Sequence, residues 1–284
     1  MKILFLPFTI NAAFLIGGGE YRVPSAIPFD ISVLGSAEVK RLLDETTFYA
    51  RRVKIEQVPL RRSELRVDKH PAVIVGINLQ TPTIRIVDSL NRQQQIEAIA
   101  HELVHLLLVY RFGLGLVTRR SPRPGDRDAV FKYFLDMDKD WFYLLGQIGN
   151  TTHHLFLIDY LKKEHGIESD VHLRLLHQNF CVLASDVAGD VESLYAKGII
   201  AFEYERLIGH VDRAIISIPQ PESFWRAYHA AKERFRAYRF PNLPDPSTHE
   251  ENVLSFLGDL GYLGKEFVVW PERVSHGRKD PAVE

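Results

Sequence analysis

Residues 93–110, QQQIEAIAHELVHLLLVY, constrain this chain more than any other stretch. Ile96, Ile99, Leu103, Leu106, Leu107 and Val109 recur at helical spacing, which predicts one long helix. Gln93, Gln94, Gln95 and Glu97 are good helix formers. Asp88 and Ser89, just before Asn91, offer capping oxygens at its start, and Gly113 and Gly115 offer a stop. On such a helix His101 and His105 share a face, so two imidazoles converge on one point. A tetrahedral zinc ion requires this of its first two nitrogen ligands. Glu102, in the middle of the H-E-x-x-H pattern, is the candidate general base for a water activated by that ion.

The flanks supply a setting for the motif. Residues 36–51 read as a helix with Ser36 as its cap, and VKIEQV at 53–58 alternates as a strand does. AVIVGINL at 72–79 and TIRIV at 83–87 read as strands joined through Thr81 and Pro82. With H-E-x-x-H behind them, the organisation of residues 52–166 resembles the zincin metallopeptidases, in which a sheet leads into the active-site helix. The resemblance implies a Zn2+ cofactor, hydrolysis of peptide bonds in a peptide or protein substrate, and Glu102 as general base. It also implies a sheet edge that binds extended substrate as an added strand, a role for residues 83–87 or the neighbouring run. A plain core hairpin is the other reading of those two runs.

Zinc needs a third protein ligand. The longer pattern H-E-x-x-H-x-x-G-x-x-H is absent, since LLLVYRFGLGL follows His105. Residues 138–164 form a long helical pattern with His153 and His154 at its apolar centre. Two imidazoles in so apolar a helix need partners, and a metal is one. His154 is the expected third ligand, because it shares a face with Asn150. His153 is the alternative, or else a residue that supports the site or polarises the substrate carbonyl. Glu164, Asp186, Asp190 and Glu192 are further alternatives, and Asp159 or Asp186 is a candidate to orient a ligand histidine. His172 and His177, five residues apart, do not share a helix face and read as ordinary polar positions. For the oxyanion the candidates are His153, Tyr160 or an arginine of the long loop after the motif, which carries Arg111, Arg119, Arg120, Arg123 and Arg127.

The remaining chain bounds the class. A length of 284 residues with 46% hydrophobic content supports a substantial core. A net charge of -1 gives no electrostatic footprint for nucleic acid or a membrane surface. The single cysteine, Cys181, excludes an internal disulfide framework and reads as a small buried hydrophobe. The apolar start, ILFLPFTINAAFLIGGG, is interrupted by Pro7, Thr9 and Asn11, and reads as a strand or core-packing arm rather than an export signal or span. A cytoplasmic location is the matching expectation. Further helices are expected from residue 171 onward, including an amphipathic one at 221–238 and a short one at 250–263, with PNLPDPS as a turn between them and 273–284 as a disordered tail. The expected fold is α+β: a small, mainly antiparallel sheet on the active-site helix within 1–110, and a mainly helical part, 111–284, completing the metal site in one compact domain. Two rival functions share the pattern: a non-catalytic binding module, and a zinc amidohydrolase acting on a non-peptide amide.

Overall fold

A computed structural model describes residues 26–50, 52–59, 71–75, 81–119, 139–184, 189–209, 211 and 219–270. The expected N-terminal arm, the arginines at 120, 123 and 127, Asp186 and the tail lie outside the described residues.

The first half is a sheet backed by two helices. The strands β1 (Ile27–Pro28), β2 (Lys54–Val58), β3 (Ala72–Val75) and β4 (Thr83–Val87) lie in the order β1-β2-β4-β3. The outer pairings are antiparallel, but β2 and β4 run parallel, Lys54 opposite Thr83 and Val58 opposite Val87. The sheet is therefore mainly antiparallel, as expected, with a parallel pair at its centre. Strand β3 pairs with β4, its neighbour in sequence, and β4 takes the place beside β2. Thus β4 is an interior strand, and β3 borders the sheet on its far side from β2. Ile84 and Ile86 of β4 are wholly buried in a core shared with the helices α1 (Ala37–Ala50) and α2 (Arg92–Tyr110).

Helix α2 carries the motif and is the centre of the first half. From 97 to 109 every residue except His101 is buried, so the helix is covered on all faces rather than on one stripe. Its start is a capping box: Asn91 Oδ1 accepts the Gln94 N–H at 3.0 Å, and Gln94 Oε1 accepts the Asn91 N–H at 3.0 Å. The cap is therefore Asn91, not Asp88 or Ser89. At the other end Gly113 takes φ 69°, and the Leu114 N–H closes on Leu108 O at 2.8 Å.

The second half is helical, as expected. Helices α3 (Lys139–His165), α4 (Asp170–Leu183), α5 (Val191–Leu207), α6 (Glu222–Arg234) and α7 (Pro246–Asp259) build a second core around Phe180, Phe202, Phe224, Phe235 and Phe256. Helix α7 begins inside the stretch read as a turn. Asp245 Oδ1 accepts the N–H groups of Ser247 and Thr248 at 2.9 and 3.1 Å, and Pro246 sits where a helix loses nothing by it. Part of the long loop is also a strand: β5 (Leu116–Arg119) pairs antiparallel with β6 (Phe267–Trp270). Its partner lies some 150 residues away, so nothing local marks LVTR as a strand. Among the described residues no helix is long and apolar enough to cross a membrane.

Candidate metal centre

His101 and His105 of α2 and His154 of α3 each bring one ring atom within 4.8 Å of the others. Their ring centroids are 4.8, 5.0 and 5.1 Å apart, a nearly equilateral triangle. Three imidazoles bound radially to one tetrahedral ion, with Zn–N of about 2.0–2.1 Å, would have centroids roughly 5 Å apart. The Nε2 atoms of His101 and His105 are 3.0 Å apart, against roughly 3.3 Å for two nitrogens on such an ion. Gly149, one turn before His153, lets α3 pack against β5: a Cβ there would stand 2.9 Å from the Leu116 side chain.

The electrostatics favour neutral imidazoles. Burial drives His101 and His105 well below the ordinary histidine range, and the neighbouring histidines push the same way. His154 is lowered by burial and His172, with Glu203 opposing. Lone pairs are then available, as metal ligation demands. Glu102, next in sequence to His101, is pushed up to about 8 by burial. Its Oε2 is buried and has no hydrogen-bond partner among the described residues. Three neutral imidazole nitrogens are a donor set that fits zinc with an open position. His101, the one half-buried member, marks the side on which the centre meets solvent.

His154 is held from behind by Glu203 of α5. Glu203 Oε1 lies 2.7 Å from His154 Nδ1 and 3.5 Å from His172 Nε2 of α4. Its Oε2 accepts from Thr151 Oγ1 at 2.5 Å and Gln147 Nε2 at 3.1 Å. Burial alone would raise this carboxyl, yet His154 and His172 hold it well below the usual carboxylate range. A carboxylate on Nδ1 leaves His154 Nε2 as the lone-pair nitrogen and fixes the ring. His172, Glu203 and His154 form a second group of three close ligand atoms. The His172 ring is 4.2 Å from His154 and 4.9 Å from His101. Its backbone N–H donates to buried Glu97 Oε1 at 2.9 Å, four residues before His101.

His153 turns away from the triangle. Its Nδ1 is 3.0 Å from His105 Nδ1, and its Nε2 is 3.1 Å from Leu114 O, so both ring nitrogens are engaged. Of the other ligand candidates, Glu164 is exposed, Asp190 caps α5 through the Ser193 N–H at 2.8 Å, and Glu192 accepts from the Tyr262 hydroxyl at 2.9 Å. Asp159 pairs with Lys163 at 3.4 Å rather than orienting a histidine. Tyr160 packs with Phe112, Phe156 and Phe240, lining a separate cavity of about 580 Å³ with Arg41 and Glu45. Arg111 pairs with Glu45, and Arg119 lies over Trp141. Cys181 is exposed, not buried: it sits on the outer face of α4, 3.7 Å from His177 Nε2.

Sequence reasoning missed Glu203 and His172. Testing His172 against His177 asks only about one helix, and the partners of His172 come from α2, α3 and α5. The available signal for Glu203 was a carboxylate in FEYE at the end of the apolar run GIIAF. Comparison with known proteins adds no family: no protein-family model, no curated protein and no solved structure matches the chain.

Proposed function

We propose that this chain is a zinc-dependent peptidase, with His101, His105 and His154 as ligands and Glu102 as general base. The observation that carries the reading is the triangle of neutral imidazoles, two of them from H-E-x-x-H; Glu102, next in sequence to His101, supports it with a buried carboxylate oxygen that has no hydrogen-bond partner among the described residues. When bound, zinc supplies Lewis acidity toward a carbonyl oxygen and lowers the pKa of a coordinated water toward neutrality.

The remaining work belongs to the protein. Glu102 takes a proton from the attacking water and delivers it to the leaving amine nitrogen, so no net proton stays on the enzyme. A carboxyl raised to about 8 suits a group that must hold that proton between the two transfers. Glu203 keeps the His154 ring oriented and supplies one of the negative charges that offset the ion. The bordering strand β3 favours an extended peptide as substrate, bound through main-chain hydrogen bonds.

The test is hydrolysis of a mixed peptide library by zinc-loaded wild type and Glu102→Ala, each with its zinc content measured. The reading expects equal zinc in both proteins and cleavage only by wild type. Cleavage that survives Glu102→Ala, or that persists after complete chelation, would overturn it.

A further inference from the structure

A second buried chain of polar groups reaches the centre at His105. The Tyr238 hydroxyl lies 2.9 Å from His249 Nδ1, and His249 Nε2 lies 2.8 Å from Gly115 O. On the neighbouring carbonyl, Leu114 O, sits His153 Nε2 at 3.1 Å, and His153 Nδ1 faces His105 Nδ1 at 3.0 Å. Tyr238, His153 and His249 are each 0% exposed, so bulk solvent does not reach these bonds. The segment between them is tightly seated: a Cβ on Gly113 would stand 2.8 Å from Pro246 Cγ of α7.

The two carbonyls decide where the protons are. A carbonyl only accepts, so His249 and His153 each carry their proton on Nε2. As neutral rings, both then have the lone pair on Nδ1. The Tyr238 O–H donates to His249. The remaining contact, between His105 Nδ1 and His153 Nδ1, is a hydrogen bond only if His105 donates. His105 is thereby left with its lone pair on Nε2, the nitrogen that faces His101.

We propose that His153 and His249 are positioning residues for the metal centre. Working from α3 and α7, they clamp the 114–115 segment and lock His105 in the tautomer that offers Nε2 to a metal. The tautomer stands by itself, whereas its use for zinc rests on the peptidase reading above.

The test combines two measurements on the full chain. Nitrogen-15 NMR of the histidine rings in metal-free protein reads the tautomers. Competition with a chromophoric chelator reads zinc affinity in wild type, His153→Phe, His153→Gln and His249→Phe. The proposal expects His105 to be protonated on Nδ1 in wild type. It expects His153→Phe to lose that signature and bind zinc roughly 10–100-fold more weakly. The glutamine amide can donate to Leu114 O and accept from His105, so His153→Gln should return to within about threefold of wild type, and His249→Phe should fall between the two. A wild-type His105 protonated on Nε2 would overturn the proposal, whether or not any variant folds. So would a folded His153→Phe with unchanged tautomer and affinity. A wild type with the expected tautomer that takes up no zinc would uphold the clamp and remove the peptidase reading.

Discussion

The two buried candidate ligands of the centre are backed in opposite ways. His154 leans on an ionised carboxylate, Glu203, at 2.7 Å. His105 leans on a neutral imidazole, His153, which is tied to a backbone carbonyl. Both supports orient a ring and choose its tautomer, but only one adds charge. The difference bears on Glu102. A divalent ion on three neutral imidazoles needs two negative charges nearby to be offset. On the proposed peptidase reading Glu203 gives one permanently, and Glu102 gives the other only when it releases its proton. A carboxylate behind His105 as well would leave the centre neutral without Glu102 and weaken its pull on that proton. On that reading, the neutral backing of His105 keeps Glu102 as the group whose charge state changes.

The largest effect that would break this comparison is expected on the charged side. Glu203→Ala leaves the donors of Thr151, Gln147 and His154 buried without their acceptor, and should cost about 3–5 kcal/mol in chemical unfolding. An unchanged unfolding midpoint would show that Glu203 is not the support described. Next is Glu102→Gln in metal-free protein. A carboxyl raised from 4.5 to about 8 in the fold contributes stability that is present below pH 4.5 and lost as pH rises through 8. At pH 9 the glutamine variant should therefore be more stable than wild type by roughly 2–4 kcal/mol, and near pH 4 the gap should close.

The neutral side sharpens the contrast. His153→Phe unpairs Leu114 O and His105 Nδ1–H but strands no charge, so about 1–3 kcal/mol is expected, less than for Glu203→Ala. A larger loss at His153 than at Glu203 would reverse the ranking. The histidines also set the acid side of the stability curve. Their folded-state pKa values are depressed, so the unfolded chain binds more protons once pH drops below about 6.5. Metal-free protein should lose on the order of 1.4 kcal/mol per pH unit per such group below that point, and saturating zinc should blunt the slope until the ion dissociates. Smallest is Gly113→Ala, at φ 69° and against Pro246: about 1–2 kcal/mol, with zinc affinity shifted in the same direction.

The contrast between the two supports also explains what could be read from the chain. His101, Glu102 and His105 are legible because one helix carries all three, and helical spacing alone puts both histidines on one face. His153 and His154 are legible as an anomaly, two imidazoles in an apolar helix that must each find a partner. Which of them faces α2 depends on how α3 crosses it, and adjacent residues differ by roughly 100° around a helix. Glu203 and His172 were out of reach because their partners lie on other helices, 49 residues from Glu203 in the case of His154 and 31 in the case of His172. The same limit hid β5, whose pairing with β6 spans most of the second half. In the first half, the hydrophobic alternation of residues 53–58 and 83–87 was enough to find the strands. It carried no information on their order, so the parallel central pair was not foreseen.

Elemental mass spectrometry of purified wild type, His154→Ala and His153→Gln tests the central claim most directly, that α2 and α3 together hold one ion. The account predicts close to one zinc per chain in wild type, none retained in His154→Ala, and near-wild-type zinc in His153→Gln. Wild type that neither carries nor takes up a metal would contradict it. So would a folded His154→Ala that keeps its zinc.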